Sequence, residues 1–158
     1  MVLVAGDDQS GCGEVGEVHL PQPGYDQQMP LGHLGVNVRD LGQAKAYYDE
    51  LMPLVGFETF FATEEEFSYR PAGGKPGTYL FFYPALEDGD YSPHRPGLQH
   101  LAFMVKTREE VDRLHEWAVK RGAKVLYEPQ EFPQYGPTYY ATFWEGHDGV
   151  TLETVCHR

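Results

Sequence analysis

Two histidines open matching phrases. His33-Leu34-Gly35-Val36-Asn37-Val38-Arg39-Asp40 is echoed 67 residues later by His100-Leu101-Ala102-Phe103-Met104-Val105-Lys106-Thr107. Near the end of the chain, Gly149-Val150-Thr151-Leu152-Glu153-Thr154-Val155 places one carboxylate inside a run of strand-forming residues. Two neutral imidazoles and one carboxylate bind a divalent cation while leaving about three octahedral positions for water or substrate. Such a cation acts as a Lewis acid on a chelating substrate or activates a bound oxygen. A carboxylate pointing inward from a strand is costly unless it has a partner, and a metal is the simplest partner. His33, His100 and Glu153 are therefore the candidate metal ligands, with iron, manganese, nickel or zinc as the cation.

Candidate acid–base groups lie close by in sequence. Tyr135, Tyr139 and Tyr140 cluster in Phe132-Pro133-Gln134-Tyr135-Gly136-Pro137-Thr138-Tyr139-Tyr140. A phenol can orient or protonate an oxyanion held at such a site. Neighbouring residues on a strand point to opposite faces, so at most one of Tyr139 and Tyr140 serves. Phe81, Phe103, Met104, Phe143 and Trp144 are expected to divide between core and cleft wall, which suits a small organic substrate. His94, His115, His147 and His157 fall in a loop, a helix, a turn and the terminus, and are expected to face solvent. Neither Cys12 nor Cys156 stands in a basic setting that would activate a thiol. No G-x-x-x-x-G-K pattern is present to cradle a phosphate.

The elements that must position these residues follow from periodicity. Leu34, Val36 and Val38 alternate with His33, Gly35 and Asn37, as on a strand with one apolar face. Asp40 caps a helix whose stripe is Ala44, Tyr47, Tyr48 and Leu51, and Pro53 and Gly56 end it. Strands are predicted near 57–62, 66–71 and 77–84. A polar connection rich in Pro and Gly spans 85–97, and then the order repeats. A strand near 98–106 leads to Thr107-Arg108-Glu109-Glu110, a capping-box pattern. The helix it opens carries Val111, Leu114 and Ala118 on one face and stops at Gly122. Strands near 123–127, 138–145 and 149–156 follow, with Asp148-Gly149 as the tight turn between the last two. The chain is thus an α+β protein of two β-α-β-β-β modules, about 31–84 and 98–156, whose sheets curl around a cleft.

The repeat also predicts an asymmetry. Aligning the last strands of the two modules on Gly77 and Gly149 sets Phe81 against Glu153. A four-ligand site with two-fold symmetry would need a carboxylate where this chain has Phe81.

Composition bounds the rest. The 158 residues carry 12 basic and 24 acidic side chains, a net charge of −12, which argues against nucleic acid or an anionic membrane as partner. Five of the acids (Asp7, Asp8, Glu14, Glu17, Asp26) precede residue 30, where there is no Lys or Arg. Residues 1–28 show no structural period and read as a flexible extension to a single domain over 29–158. No run is long enough to span a bilayer, and Met1–Ala5 lacks the basic lead and apolar length of a signal peptide. With two cysteines and no disulfide framework, the expected setting is cytoplasmic.

The β-α-β-β-β order twice over, the two first-strand histidines, and Gly146-His147-Asp148-Gly149-Val150-Thr151-Leu152-Glu153 together resemble the vicinal oxygen chelate superfamily. Its members include glyoxalase I, fosfomycin-resistance enzymes, methylmalonyl-CoA epimerase, extradiol dioxygenases and bleomycin-binding proteins. The ending is similar to the family's D-P-D-G-x-x-x-E motif, with Gly146-His147 where Asp-Pro is usual. The resemblance covers about 31–156 and places His33, His100 and Glu153 on the family's ligand positions. It implies a metal-dependent enzyme that chelates two vicinal oxygens of a small substrate, with isomerase- or lyase-type chemistry favoured. Phe81, where glyoxalase I has an acidic ligand, argues against glyoxalase activity itself. The alternatives are extradiol Fe(II) dioxygenase chemistry and a metal-free drug-binding protein of the bleomycin-resistance kind. The resemblance further implies a homodimer, with the modules pairing either within a chain or between chains.

Overall fold

The computed structural model describes residues 31–158. The extension expected over 1–28, together with Met29, Pro30 and Cys12, lies outside the described residues. In chain order the elements are β1 (His33–Val38), α1 (Leu41–Leu54), β2 (Phe57–Ala62), β3 (Phe67–Pro71), β4 (Tyr79–Pro84), β5 (Leu101–Met104), α2 (Arg108–Lys120), β6 (Val125–Glu131), β7 (Tyr140–Glu145) and β8 (Thr151–Cys156). Each module is β-α-β-β-β, and the fold is α+β.

Local chemistry sets the helix starts. The Asp40 carboxylate accepts from the Gln43 N–H at 2.8 Å, satisfying one of the free donors of α1. Thr107 and Glu110 form the reciprocal capping box at the start of α2. The stripe Ala44, Tyr48 and Leu51 is buried, with Tyr47 at its margin, and so are Val111, Leu114 and Ala118. Each large apolar side chain so buried contributes roughly 1.5–3 kcal/mol.

The modules make two separate four-stranded mixed sheets, ordered β1-β4-β3-β2 and β5-β8-β7-β6. In each, the first strand runs parallel to the last, and the other pairings are antiparallel. The sheets are not closed on one another. One face of each is covered by its own helix: Tyr48 lies over Phe82 at 4.3 Å, and α2 packs on β6, β7 and β8.

The modules are joined through these covered sides. Trp144 Nε1 donates to the Tyr47 hydroxyl at 3.0 Å, and Tyr47 also meets the Trp117 ring edge-on at 5.4 Å. The Arg39 N–H donates to Asp148 Oδ2 at 2.8 Å, tying the start of α1 to the turn between β7 and β8. One continuous core runs from Val36 and Phe82 to Leu152 and Cys156.

Some placements depart from expectation. The Asp148-Gly149 turn is a short 3-10 turn over His147–Gly149, with Asp148 in the left-handed region at φ 56°. His147 and His115 are partly buried rather than solvent-facing: His147 is packed beside Tyr47, and His115 Nδ1 lies 3.4 Å from Thr142 Oγ1. Phe103 and Trp144 join the core, Phe81 and Phe143 lie on the uncovered sheet faces, and Met104 is 70% exposed.

Candidate metal centre

The register of the parallel pairs carries the repeat into space. His33 stands opposite Tyr79 and Gly35 opposite Phe81 in the first sheet, while Leu101 stands opposite Leu152 and Ala102 opposite Glu153 in the second. Phe81 and Glu153 are thus true equivalents, each beside a residue too small to cover it. The ring of His33 meets that of Phe81 at 5.5 Å.

Glu153 lies on the uncovered face of β8 and is nevertheless only 1% exposed. Its Oε2 is 3.1 Å from His100 Nε2, and its Oε1 accepts a 2.5 Å hydrogen bond from the Tyr139 phenol. Burial pushes the Glu153 carboxyl above the usual range, while Tyr139 and His100 pull against that rise. The Tyr139 phenol is raised in turn, by burial first and then by its bond to Glu153. Tyr140 faces the other way, as alternation requires, and its hydroxyl donates to Asp112 of α2 at 2.8 Å.

His100 and Glu153 sit in a cleft of about 980 Å³. Phe143, Phe132, Tyr127, Tyr135 and Tyr139 make its aromatic wall, with Phe132 and Phe143 5.4 Å apart. Lys124 and Glu145 at its margin are paired at 2.6 Å. Sequence reasoning treated 85–97 as a mere connection, yet Tyr91, Pro93 and His94 form part of this wall. The signal available was an aromatic ring and a histidine inside a segment otherwise built for turns.

The structure brings together two of the three expected ligands. No residue of β1–β4 lines the cleft, and His33 lies on the exposed face of β1, in the other sheet. Among the described residues, no set of three or more His, Cys, Asp or Glu side chains gathers as a metal cluster within one chain. Convergence of the trio inside a single chain is therefore not observed. The reason lies in the packing: the modules meet through α1, α2 and the back of β7, leaving their uncovered faces free.

The pair itself suits a divalent cation. A nearly inaccessible carboxyl whose ionised form is penalised, touching one imidazole nitrogen and one phenol, lacks a positive partner of fixed charge. His100 Nε2 and Glu153 Oε2 are hard-to-borderline donors of the kind Fe, Mn, Ni and Zn accept.

The profile of the Glyoxalase/Bleomycin resistance protein/Dioxygenase superfamily matches residues 30–154. The chain belongs to this superfamily. A glyoxalase candidate from Bacillus halodurans is similar in structure, with a TM-score of 0.71 and 32% identity, covering 82% of this chain and 96% of that one. The Bacillus subtilis protein YqjT, whose activity is uncharacterised, is 27% identical over 128 residues, 79% of this chain and 97% of its own. A glyoxalase-related enzyme from Fulvimarina pelagi shares the fold at a TM-score of 0.61 and 21% identity, over 82% of this chain and 88% of that one. Most members of the superfamily are enzymes and some are not, and members often use divalent metals. The departure of Gly146 from the motif's Asp has a local cause here, since a Cβ at 146 would lie 2.8 Å from Leu152 Cγ.

Proposed function

We propose that this chain is a divalent-metal-dependent enzyme acting on a small organic substrate that presents two vicinal oxygens. The observation that carries this reading is the His100–Glu153 pair at 3.1 Å, set in a cleft with a buried carboxylate. When bound, a divalent cation would polarise a chelated pair of oxygens and stabilise the negative charge that develops on them. Glu153 supplies the fixed charge and Tyr139 holds its second oxygen. The aromatic wall excludes water and receives the apolar part of the substrate. Tyr139, within reach of the same carboxylate, is the group placed to hand a proton to, or accept a hydrogen bond from, a substrate oxygen. Isomerase- or lyase-type chemistry is favoured over extradiol Fe(II) dioxygenase chemistry.

The third ligand is proposed to be the partner's His33 in a homodimer. The uncovered face of the first sheet carries His33 among Tyr79, Phe81 and Tyr83, with Phe60 and Phe61 beside them, an aromatic surface suited to lie against another chain. An isologous two-fold pairing would generate two equivalent centres.

Elemental analysis of protein purified without chelator tests the metal. About one divalent ion per chain, lost in His100→Ala, is the expected result. No metal after reconstitution with Fe(II), Mn, Ni or Zn would overturn it and leave the metal-free binding reading, which the aromatic wall favours for a cationic aromatic ligand. Mixing His33→Ala with Glu153→Ala chains tests the sharing. Randomly exchanged dimers should regain about a quarter of the wild-type centres. No regain would overturn the sharing of His33 between chains.

A further inference from the structure

The strand register lays a straight row across the uncovered face of the second sheet. Ala102 stands opposite Glu153, Glu153 opposite Phe143, and Phe143 opposite Tyr127. The equivalent row of the first sheet reads Gly35, Phe81, Ser68 and Phe61. Ring and polar side chain have changed places between the modules, so the second sets a ring directly beside a carboxylate. Neighbouring strands lie about 4.8 Å apart, which places Phe143 one such spacing from Glu153. Phe143 is half-buried and lines the cleft. The rings of His100, Phe132 and Tyr127 all meet it edge-on, at interplanar angles of 64°, 71° and 76°. Among the described residues, no ring lies parallel to it.

We propose that Phe143 is the specificity-determining residue of this cleft, selecting substrates that carry a flat aromatic ring next to their two vicinal oxygens. A ring entering the cleft takes the parallel position on Phe143, offset-stacked, with the edge-on rings around it as walls. An aliphatic compound bearing the same oxygens has no face to set against Phe143. Charge narrows the class further. Lys124 is the one Lys or Arg that lines the cleft, and it is paired with Glu145 at 2.6 Å. A negative group on the ring would meet Glu145 and Glu153 with no other cationic side chain of the lining to receive it. The ring is therefore one without negative charge. The oxygen pair rests on the function proposed above, whereas the ring slot stands on the register and the aromatic geometry alone.

Titration of the metal-free protein at neutral pH with 2-naphthol and with 2-naphthoate, followed by NMR, tests the slot. 2-Naphthol is expected to bind with intermolecular contacts to the Phe143 ring, and 2-naphthoate to bind more weakly. Those contacts are read in wild type and need no variant. Phe143→Leu, which keeps apolar bulk but no ring face, should weaken 2-naphthol about 3- to 10-fold. Phe143→Tyr keeps the ring and should bind as wild type does. No binding, binding without contact to Phe143, equal binding by wild type and Phe143→Leu, or 2-naphthoate bound as tightly as 2-naphthol each overturns the proposal. In zinc-loaded protein, tropolone (two vicinal oxygens on a flat ring) is compared with acetohydroxamate (a similar oxygen pair without a ring). Phe143→Leu should weaken tropolone by the same factor and leave acetohydroxamate unchanged; equal loss of both overturns the proposal. Naphthol binding that depends on Phe143, in a chain that takes up no zinc, sustains the ring slot and overturns the metal function instead.

Discussion

The Tyr139 phenol donates a 2.5 Å hydrogen bond to Glu153, while Tyr140, the next residue, spends its hydroxyl on Asp112 at the opposite face of the sheet. Two adjacent tyrosines thus serve unlike ends. Tyr139→Phe should weaken metal binding about 10- to 100-fold, since the carboxylate proposed as a ligand loses its outer hydrogen bond. Tyr140→Phe should leave metal affinity unchanged and cost about 1 kcal/mol of stability. Calorimetric metal titration alongside urea unfolding separates the two. Equal effects on metal affinity would remove Tyr139 from the site.

Glu153 makes the metal-free protein pH-sensitive in an unusual direction. Its native carboxyl is raised above the ordinary value of 4.5, so over the interval between the two the native state keeps a proton that the unfolded chain has lost. Stability from this group is therefore fully present below 4.5 and is lost as pH climbs through the native value, by at most about 1.4 kcal/mol per pH unit. Glu153→Gln removes that loss. Asp40 and Glu58, held low chiefly by backbone N–H bonds from Gln43 and Gly73, slope the other way but do so equally in both proteins. The difference between the two urea-midpoint profiles, with metal absent, should therefore grow with pH and then level off. Parallel profiles would mean that Glu153 ionises normally.

Much of this architecture can be read from residue order. Thr107 and Glu110 announce α2, and Phe57–Ala62 emerges as a strand with the predicted bounds. The repeat correctly equates Phe81 with Glu153 because the register of the parallel pairs preserves it. β6 runs on to Glu131 through Pro129, beyond the predicted end near 127, because it is an edge strand, where a missing N–H is tolerated. β5 is shorter than predicted, since its ladder with β8 begins only at Leu101 and residues 98–100 precede it. The mutual placement of the sheets was not legible. Alternation says which face a histidine occupies, whereas the Tyr47–Trp144 contact, 97 residues apart, decides which faces stay uncovered.

His33 should be dispensable for folding and indispensable for the centre. It is exposed on β1, so His33→Ala should change stability by less than about 0.5 kcal/mol. Metal content should nonetheless fall to the level of His100→Ala. Full retention of metal would exclude His33 as a ligand.

Gly146 is required by its neighbour rather than by its backbone angle. A methyl there would press on the Leu152 side chain, which is fully buried beside its cross-strand neighbour Trp144. Gly146→Ala should therefore destabilise the protein by about 1–3 kcal/mol, as overpacking does. Paired Gly146→Ala and Leu152→Val should recover part of the loss in thermal unfolding. No recovery would assign the cost to the turn itself.

Tyr91, Pro93 and His94 stand in the cleft although they belong to neither copy of the repeat. Either module taken alone has the sheet face but not this wall. The wall is supplied by the connection between the modules, so the shape of the cleft depends on a segment that the repeated unit does not contain. A circular permutant reopened at Leu86, which is 95% exposed, would preserve the strand pairings of both sheets while releasing one end of that wall. Such a chain would show how far the shape of the cleft depends on an unbroken connection between the two sheets.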